Sequence, residues 1–240
     1  MLVYNTRNNL NKKIRMKKEK WINDLEKNLS HIGSIPLNPE LSDLIIGWRK
    51  ENGRKRPIFS FDAIQVSLNT STNFLGDVHK DGGKILFVNT NPFLNESIKE
   101  IANDTGHAFL NGRWIGGLLT NSHNIFARIK GFQEVKEKYG ALKKELNIRS
   151  TLYDKMDQSF SGLFVLSNQT MPDVIVLISS EKNTRKSITA EARKMNIPVV
   201  GFVDSNDSPR GIDYPIYGNY ASIDWVKSIL RSWNSSTLAD

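Results

Sequence analysis

The sequence predicts an α/β fold, a doubly wound (flavodoxin-like) parallel five-stranded sheet flanked by helices. Two features carry this prediction. From about residue 57 onward, apolar runs of strand length alternate with helical stretches, the pattern of parallel strands joined by right-handed crossovers. The run PDVIVLIS (172–179) is also wholly apolar in its middle, as strands covered on both faces are.

The elements follow in order. Residues 1–30 read as a basic arm merging into a helix, with Trp21, Ile22, Leu25 and Leu29 at helical spacing. HIGSIPLNP (31–39) is a loop by its glycine and two prolines. PIFSFD (57–62) reads as the first strand, followed by a helix over 63–79. KILFVN (84–89) is the second strand, and the helix over 92–104 carries Pro92 in its first turn. HAFL (107–110) is the third strand and leads into the glycine-rich stretch NGRWIGGLLTN (111–121). A helix is expected from about Asn121 through Tyr139, running on in KEKYGALKKEL (136–146), while 140–170 reads as polar and irregular, part of a shortened insertion at about 130–170 containing Gly140 and Gly162. PDVIVLIS is the fourth strand, 184–195 a helix, and PVVGFVD (198–204) the fifth strand. DYPIYGN (213–219) forms an extended tail to the sheet. A closing helix over 221–233 buries Ile223, Val226, Ile229 and Leu230. The organisation is thus a basic arm and helix (1–30) and one α/β domain (31–235).

A hydrophobic content of 39% and a charged content of 24% are those of an ordinary globular chain, and no apolar run approaches the roughly 18–20 residues of a membrane span. No membrane partner is expected. With no cysteine there is neither a disulfide framework nor a thiolate metal site. The four histidines lie far apart in sequence without the i,i+4 spacing of a helical zinc pair, so no metal site is expected.

The net charge of +8 is concentrated. Residues 1–20 hold Arg7, Lys12, Lys13, Arg15, Lys17, Lys18 and Lys20 against Glu19, a net of +6. A second cluster, Arg49, Lys50, Arg54, Lys55 and Arg56 with Glu51, adds +4. Two separate basic runs fit a polyanion, because each neutralised phosphate releases condensed counterion. The first run reads as a basic arm, with an import segment as the alternative.

Doubly wound folds take nucleotides at the carboxyl ends of their strands. GDVHKDGGK (76–84) lacks the spacing of a phosphate loop and precedes a strand, so it reads as a helix end and turn. Gly112, Gly116 and Gly117 do not match a dinucleotide fingerprint either. Asp204, Asp207 and Asp213, near the end of the fifth strand, read as turn chemistry ahead of Pro209. Ser122 and His123 are adjacent and cannot face one another on a helix, so no hydrolase triad is supported. No cofactor is expected. In NGRWIGGLLTN, Arg113 offers a planar fork of donors suited to phosphate. Trp114 either offers a stacking face or packs between strand and helix.

Two blocks then identify a relationship. KILFVNTNPFLNESIKEIANDTGHAFLNGRWIGGLLTN (84–121) resembles the central block of the universal small-subunit ribosomal protein two family. Asn111, Arg113, Trp114, Gly116, Gly117, Leu119, Thr120 and Asn121 fit its N-x-R-W-x-G-G-x-L-T-N motif. PDVIVLIS, Glu191 and Ala192, NIPVVGFVD (196–204) and DYPIYGN resemble its second block, in the same order; the likeness covers about 55–235. HIGS (31–34) is similar to the family's H-x-G-H entry loop, with Ser34 in place of a histidine.

The resemblance implies a structural constituent of the small ribosomal subunit. Such a protein binds rRNA and neighbouring ribosomal proteins, has no catalytic activity and is not a homo-oligomer. In bacteria the family also helps hold the large ribosomal protein numbered one. A nucleotide- or metal-dependent enzyme on the same fold is the alternative. The residues expected against rRNA are Lys12, Lys13, Arg15, Lys17, Lys18, Arg49, Lys50, Arg54, Lys55 and Arg56, with Asn111, Arg113 and Asn121 from the motif facing rRNA or a neighbouring protein. Trp114, Gly116 and Gly117 are expected to shape the bend.

The departures are informative. The long charged helical hairpin of bacterial members is shortened at about 130–170, and LNPELSDLIIGWRK replaces an R-R-W-N-P-K-M segment. Ser179 and Tyr220 replace acids. With the asparagine- and lysine-rich composition, these point to translation in a mitochondrion (matrix, mitoribosome) ahead of a plastid or the bacterial cytoplasm.

Overall fold

The computed structural model describes residues 21–145, 151–166, 170–179 and 181–238. Lys12, Lys13, Arg15, Lys17 and Lys18 lie outside the described residues. The expected sheet is present: β3 (Ile85–Asn89), β4 (Ala108–Asn111), β5 (Val174–Ser179), β6 (Val199–Val203) and β7 (Tyr214–Tyr217) pair in parallel in the order β4-β3-β5-β6-β7.

The strand count holds, but one member differs. The run 57–62 does not enter this sheet. It belongs to a separate antiparallel ribbon of β1 (Ile45–Glu51) and β2 (Arg54–Phe59), and the tail at 213–219 supplies the fifth parallel strand instead. Asn52 (φ 48°) and Gly53 (φ 77°) close the ribbon, two successive positive-φ residues as a two-residue hairpin turn requires.

Successive residues of each strand point to opposite faces, which sorts the core in two. Leu86, Val88, Leu110, Ile175 and Leu177 pack under α4 (Ser122–Glu145), α5 (Thr151–Phe160) and α6 (Lys182–Lys194). Ile85, Phe87, Val174, Val176 and Phe202 pack on the other side, under α2 (Phe61–Lys80), α3 (Asn95–Asp104) and α7 (Ile223–Ser232). On α7 the buried stripe is Trp225, Val226, Ile229 and Leu230, with Ile223 only half-buried. A short helix, α1 (21–27), joins the second face through Leu25, whereas Leu29 lies past its end at φ 52° and is exposed.

The segment read as irregular is largely helical. α4 runs on through Gly140 to Glu145, as expected from KEKYGALKKEL, and the departure is α5, which folds back on it through Phe132 against Tyr153 (5.2 Å) and Phe160 (5.9 Å), with Lys136 bonded to Asp157 at 2.5 Å. Gly162 does not break a helix. It lets the 3₁₀ turn Ser161–Leu166 approach β4 so closely that a Cβ would lie 2.2 Å from the Phe109 carbonyl oxygen. Among the described residues no helix is long and apolar enough to cross a membrane.

Candidate functional site

The chain reverses its direction of sheet growth between β3 and β5, and the crevice at the carboxyl ends of such strands is where doubly wound folds take ligands. Here asparagines fill it. Asn89 donates from Nδ2 to the Asn91 carbonyl (2.7 Å) and to Asn95 Oδ1 (3.0 Å), and its Oδ1 accepts from Asn91 N (3.0 Å). Asn111 donates from Nδ2 to the Asn95 carbonyl (3.0 Å) and is buried. The sequence placed Asn111 outward, and this is a correction: its amide ties β4 to the start of α3, and its buried Oδ1 has no hydrogen-bond partner among the described residues.

The glycine-rich bend after β4 is built around one carboxylate. Glu191 on α6 accepts through Oε1 from Trp114 Nε1 (3.0 Å) and from Gly117 N (2.9 Å), and through Oε2 from Leu119 N (3.2 Å). Trp114 is 7% exposed and packs in the core. Gly117 sits at φ 81°, and the Asn121 N–H closes the turn onto its carbonyl at 2.7 Å. Gly116 is different. It has no positive φ, and a Cβ there would meet nothing within 4 Å, so the bend does not require a glycine at that position. Arg113 and Asn121 are exposed as expected, with Asn121 accepting from Asn124 Nδ2 (2.7 Å).

The 49–56 cluster lies on the β1–β2 ribbon. Arg49, Lys50, Arg54 and Lys55 are exposed. Arg56 is half-buried and works internally: Nε donates to the Gly33 carbonyl (2.9 Å), Nη2 to that of Ile32 (3.4 Å), and Nη1 to Glu51 (3.3 Å). It anchors the ribbon to the 31–34 loop and leaves four cations for a partner.

The aspartates hold that same loop. Asp204 Oδ1 accepts from Ser34 N (3.0 Å) and Ser205 N (2.6 Å), and Ser205 Oγ donates to the Ser34 carbonyl (2.6 Å). Burial pushes the Asp204 carboxyl above its ordinary range. Asp207 pairs with buried Arg185 at 3.4 Å, and Arg185 Nη2 also donates to the Phe202 carbonyl (2.9 Å). Burial also raises the Tyr220 phenol well above its ordinary range, with the Asp207 charge adding to it. Asp213 does not join this group: its Oδ2 accepts from Val199 N (2.8 Å) at the opposite end of β6.

A basic cleft of about 950 Å³ was not foreseen from the sequence. Lys182, Lys186, Arg193 and Lys194 of α6 line it with Arg210, which is paired to Glu40 through Nε at 2.6 Å. It meets a second cleft, lined by Arg54 and Arg56, at Asn206. The signal was present in the sequence, since α6 carries basic residues at i,i+4 spacing, at 182 and 186. The histidines also needed the fold: His79 Nδ1 and His107 Nε2 lie 3.0 Å apart, although no group of three metal-binding side chains forms among the described residues.

These features define a class. The chain is a doubly wound α/β scaffold whose strand-end crevice is closed by its own asparagines and whose exposed ribbon and helix present cations outward. Residues 28–239 match the Ribosomal protein S2 family, and the chain belongs to that family. Its role is accordingly that of a structural protein of the small ribosomal subunit, associated with that subunit's rRNA and proteins, in a family that is generally non-enzymatic.

Proposed function

We propose that this chain binds small-subunit rRNA directly and supports translation in an organelle, the mitochondrion. The observation that carries the rRNA contact is the set of four exposed cations, Arg49, Lys50, Arg54 and Lys55, on a ribbon that Arg56 fixes to the domain. The α6 cleft extends this cationic surface, and the basic residues at 12–18 add to it in the sequence. Arg113 and Asn121 face rRNA or a neighbouring ribosomal protein. The protein takes no cofactor of its own beyond Mg²⁺ carried by the rRNA, performs no catalysis, and works as a single copy in the subunit. The asparagine- and lysine-rich composition supports the mitochondrial assignment.

The test replaces Arg49, Lys50, Arg54 and Lys55 with alanine and follows binding to small-subunit rRNA across about 50–200 mM salt. With a slope near 0.9 per phosphate contact, losing four contacts flattens the log–log dependence by about 3–4. An unchanged slope would remove the ribbon from the interface. In a mitochondrial lysate the chain should sediment with the small subunit, and its persistence in the soluble pool would defeat the assignment.

A further inference from the structure

Trp48 presents about half of its surface to solvent. It lies on β1, the free edge of the ribbon, because the other edge of β2 is already paired: Gly33 N donates to the Pro57 carbonyl (2.9 Å) and Phe59 N to that of His31 (2.9 Å). Its indole is 51% exposed and, among the described residues, makes no hydrogen bond or ring contact. Neighbouring Ile46, the residue skipped by the register shift between Ile45 and Gly47, is 63% exposed.

The register places cations beside the indole. Residues directly opposite in an antiparallel pair share a face, as do residues two apart on one strand. Trp48 stands opposite Pro57 and Lys50 opposite Lys55, so Trp48, Lys50 and Lys55 share one face. Arg49 and Arg56 project from the other, where Arg56 is anchored. Pro57, opposite Trp48, is buried. Two strand residues span about 7 Å, on the scale of one nucleotide step along an extended strand.

We propose that Trp48 stacks on an unpaired base of RNA while Lys50 and Lys55 hold the phosphates beside it, so that the ribbon selects single-stranded over duplex RNA. This deepens the rRNA-binding reading and rests on it. An aromatic face accepts any unstacked base, whereas a duplex keeps its bases stacked and offers only its backbone and grooves. An apolar protein surface fits less well, since it would cover Ile46 and Trp48 only by desolvating the lysines alongside.

The experiment uses the full chain with two fluorescein-labelled probes of the same sequence, a single-stranded RNA and its duplex, followed by anisotropy. Trp48→Ala weakens single-strand binding about 10-fold and duplex binding less than about twofold, while Trp48→Phe retains most of the affinity. Lys50→Ala with Lys55→Ala weakens both probes and flattens their salt dependence. The single strand also quenches tryptophan emission in the unsubstituted chain, and does so less in Trp48→Phe.

Equal losses on both probes, or none, with the unsubstituted chain still binding, overturn the stacking and leave the rRNA reading intact. So does loss of a protein neighbour with RNA binding unchanged. If the unsubstituted chain binds neither probe, the RNA reading falls and the stacking with it. Trp48 is exposed on an edge strand, so equal melting temperatures verify that each variant is folded.

Discussion

Glu191 is the residue whose loss should be felt furthest from its own position. It lies 77 residues from Trp114 in sequence, yet its carboxylate is the acceptor for three donors of the bend. Substitution by glutamine keeps the shape and removes one acceptor oxygen. The remaining oxygen can serve Trp114 Nε1 and Gly117 N, while the new amide N–H₂ confronts the Leu119 N–H. One stranded donor costs about 1–3 kcal/mol, and the two retained bonds weaken because they lose their charged partner. Glu191→Gln should therefore destabilise by about 2–3 kcal/mol, or roughly 4–12 °C in melting temperature for a domain of this size. Glu191→Ala strands all three donors and should cost about 3–5 kcal/mol, with Glu191 half-buried and water able to reach part of the gap. Thermal melts by circular dichroism measure both. Trp114→Phe in a double-mutant cycle with Glu191→Ala isolates the indole bond, with a coupling of about 1 kcal/mol expected. A melting temperature for Glu191→Gln within about 1 °C of the unsubstituted protein would refute the account of the bend.

Two further outcomes follow from the same structure. Gly117→Ala, at φ 81° with its Cβ 3.3 Å from that of Asn121, should cost about 1–2 kcal/mol. Gly116→Ala should stay within about 0.5 kcal/mol, so equal denaturant midpoint shifts for the pair would contradict the assignment. Asp204 sets a pH dependence whose sign is opposite to that of a salt-bridged acid. Its folded pKa is raised from 3.8, so the folded state holds the proton more tightly. The resulting stabilisation is present below the unfolded pKa and is lost as pH climbs through the raised folded value. Asp204→Asn keeps an Oδ1 for Ser34 N and Ser205 N. It should fold with near-native stability at neutral pH and flatten the pH–stability curve above about pH 4, and an unchanged curve would remove Asp204 as its source.

What the sequence made legible follows the range of the forces involved. The parallel strands were readable because burial on both faces leaves an unbroken apolar run, and Val174–Ser179 needs no partner information to be recognised. The ribbon is hard to read although Asn52-Gly53 is a strong local hairpin signal, because its flanks, WRKE and RKRP, carry charges instead of the apolar alternation of a half-buried strand. α5 was missed for another reason. Its sequence is polar, and its helix is secured by aromatic contacts with Phe132 on α4, a tertiary term that a local reading does not contain. The site divides the same way. Exposure of Arg113 and Asn121 was legible from type and position. The burial of Asn111, the inward role of Arg56 and the acceptor for Trp114 depend on residues 16, 23 and 77 positions away.

The division of labour between the two ends of these interactions explains why a nucleotide-type topology serves as a scaffold here. At the strand ends, where a phosphate would need free backbone N–H groups, the Asn91 and Phe93 N–H groups are already bonded by asparagine side chains, and the Gly112 N–H by the Asn89 carbonyl at 2.6 Å. A donor that is already satisfied gains little from an incoming anion and would lose an existing bond to accept one. The cations, by contrast, lie exposed: on the ribbon that Arg56 ties down, and on the outer face of α6, whose inner face Glu191 commits to the bend. Because Glu191 and the cleft lysines share one helix, the bend and the basic cleft are held in fixed relation. Loosening the bend through Glu191 should therefore disturb RNA binding at α6 while leaving the ribbon's contribution in place. Combining Glu191→Gln with the four ribbon alanines tests this: the two effects on binding should add, and strong coupling between them would place ribbon and bend in one cooperative unit.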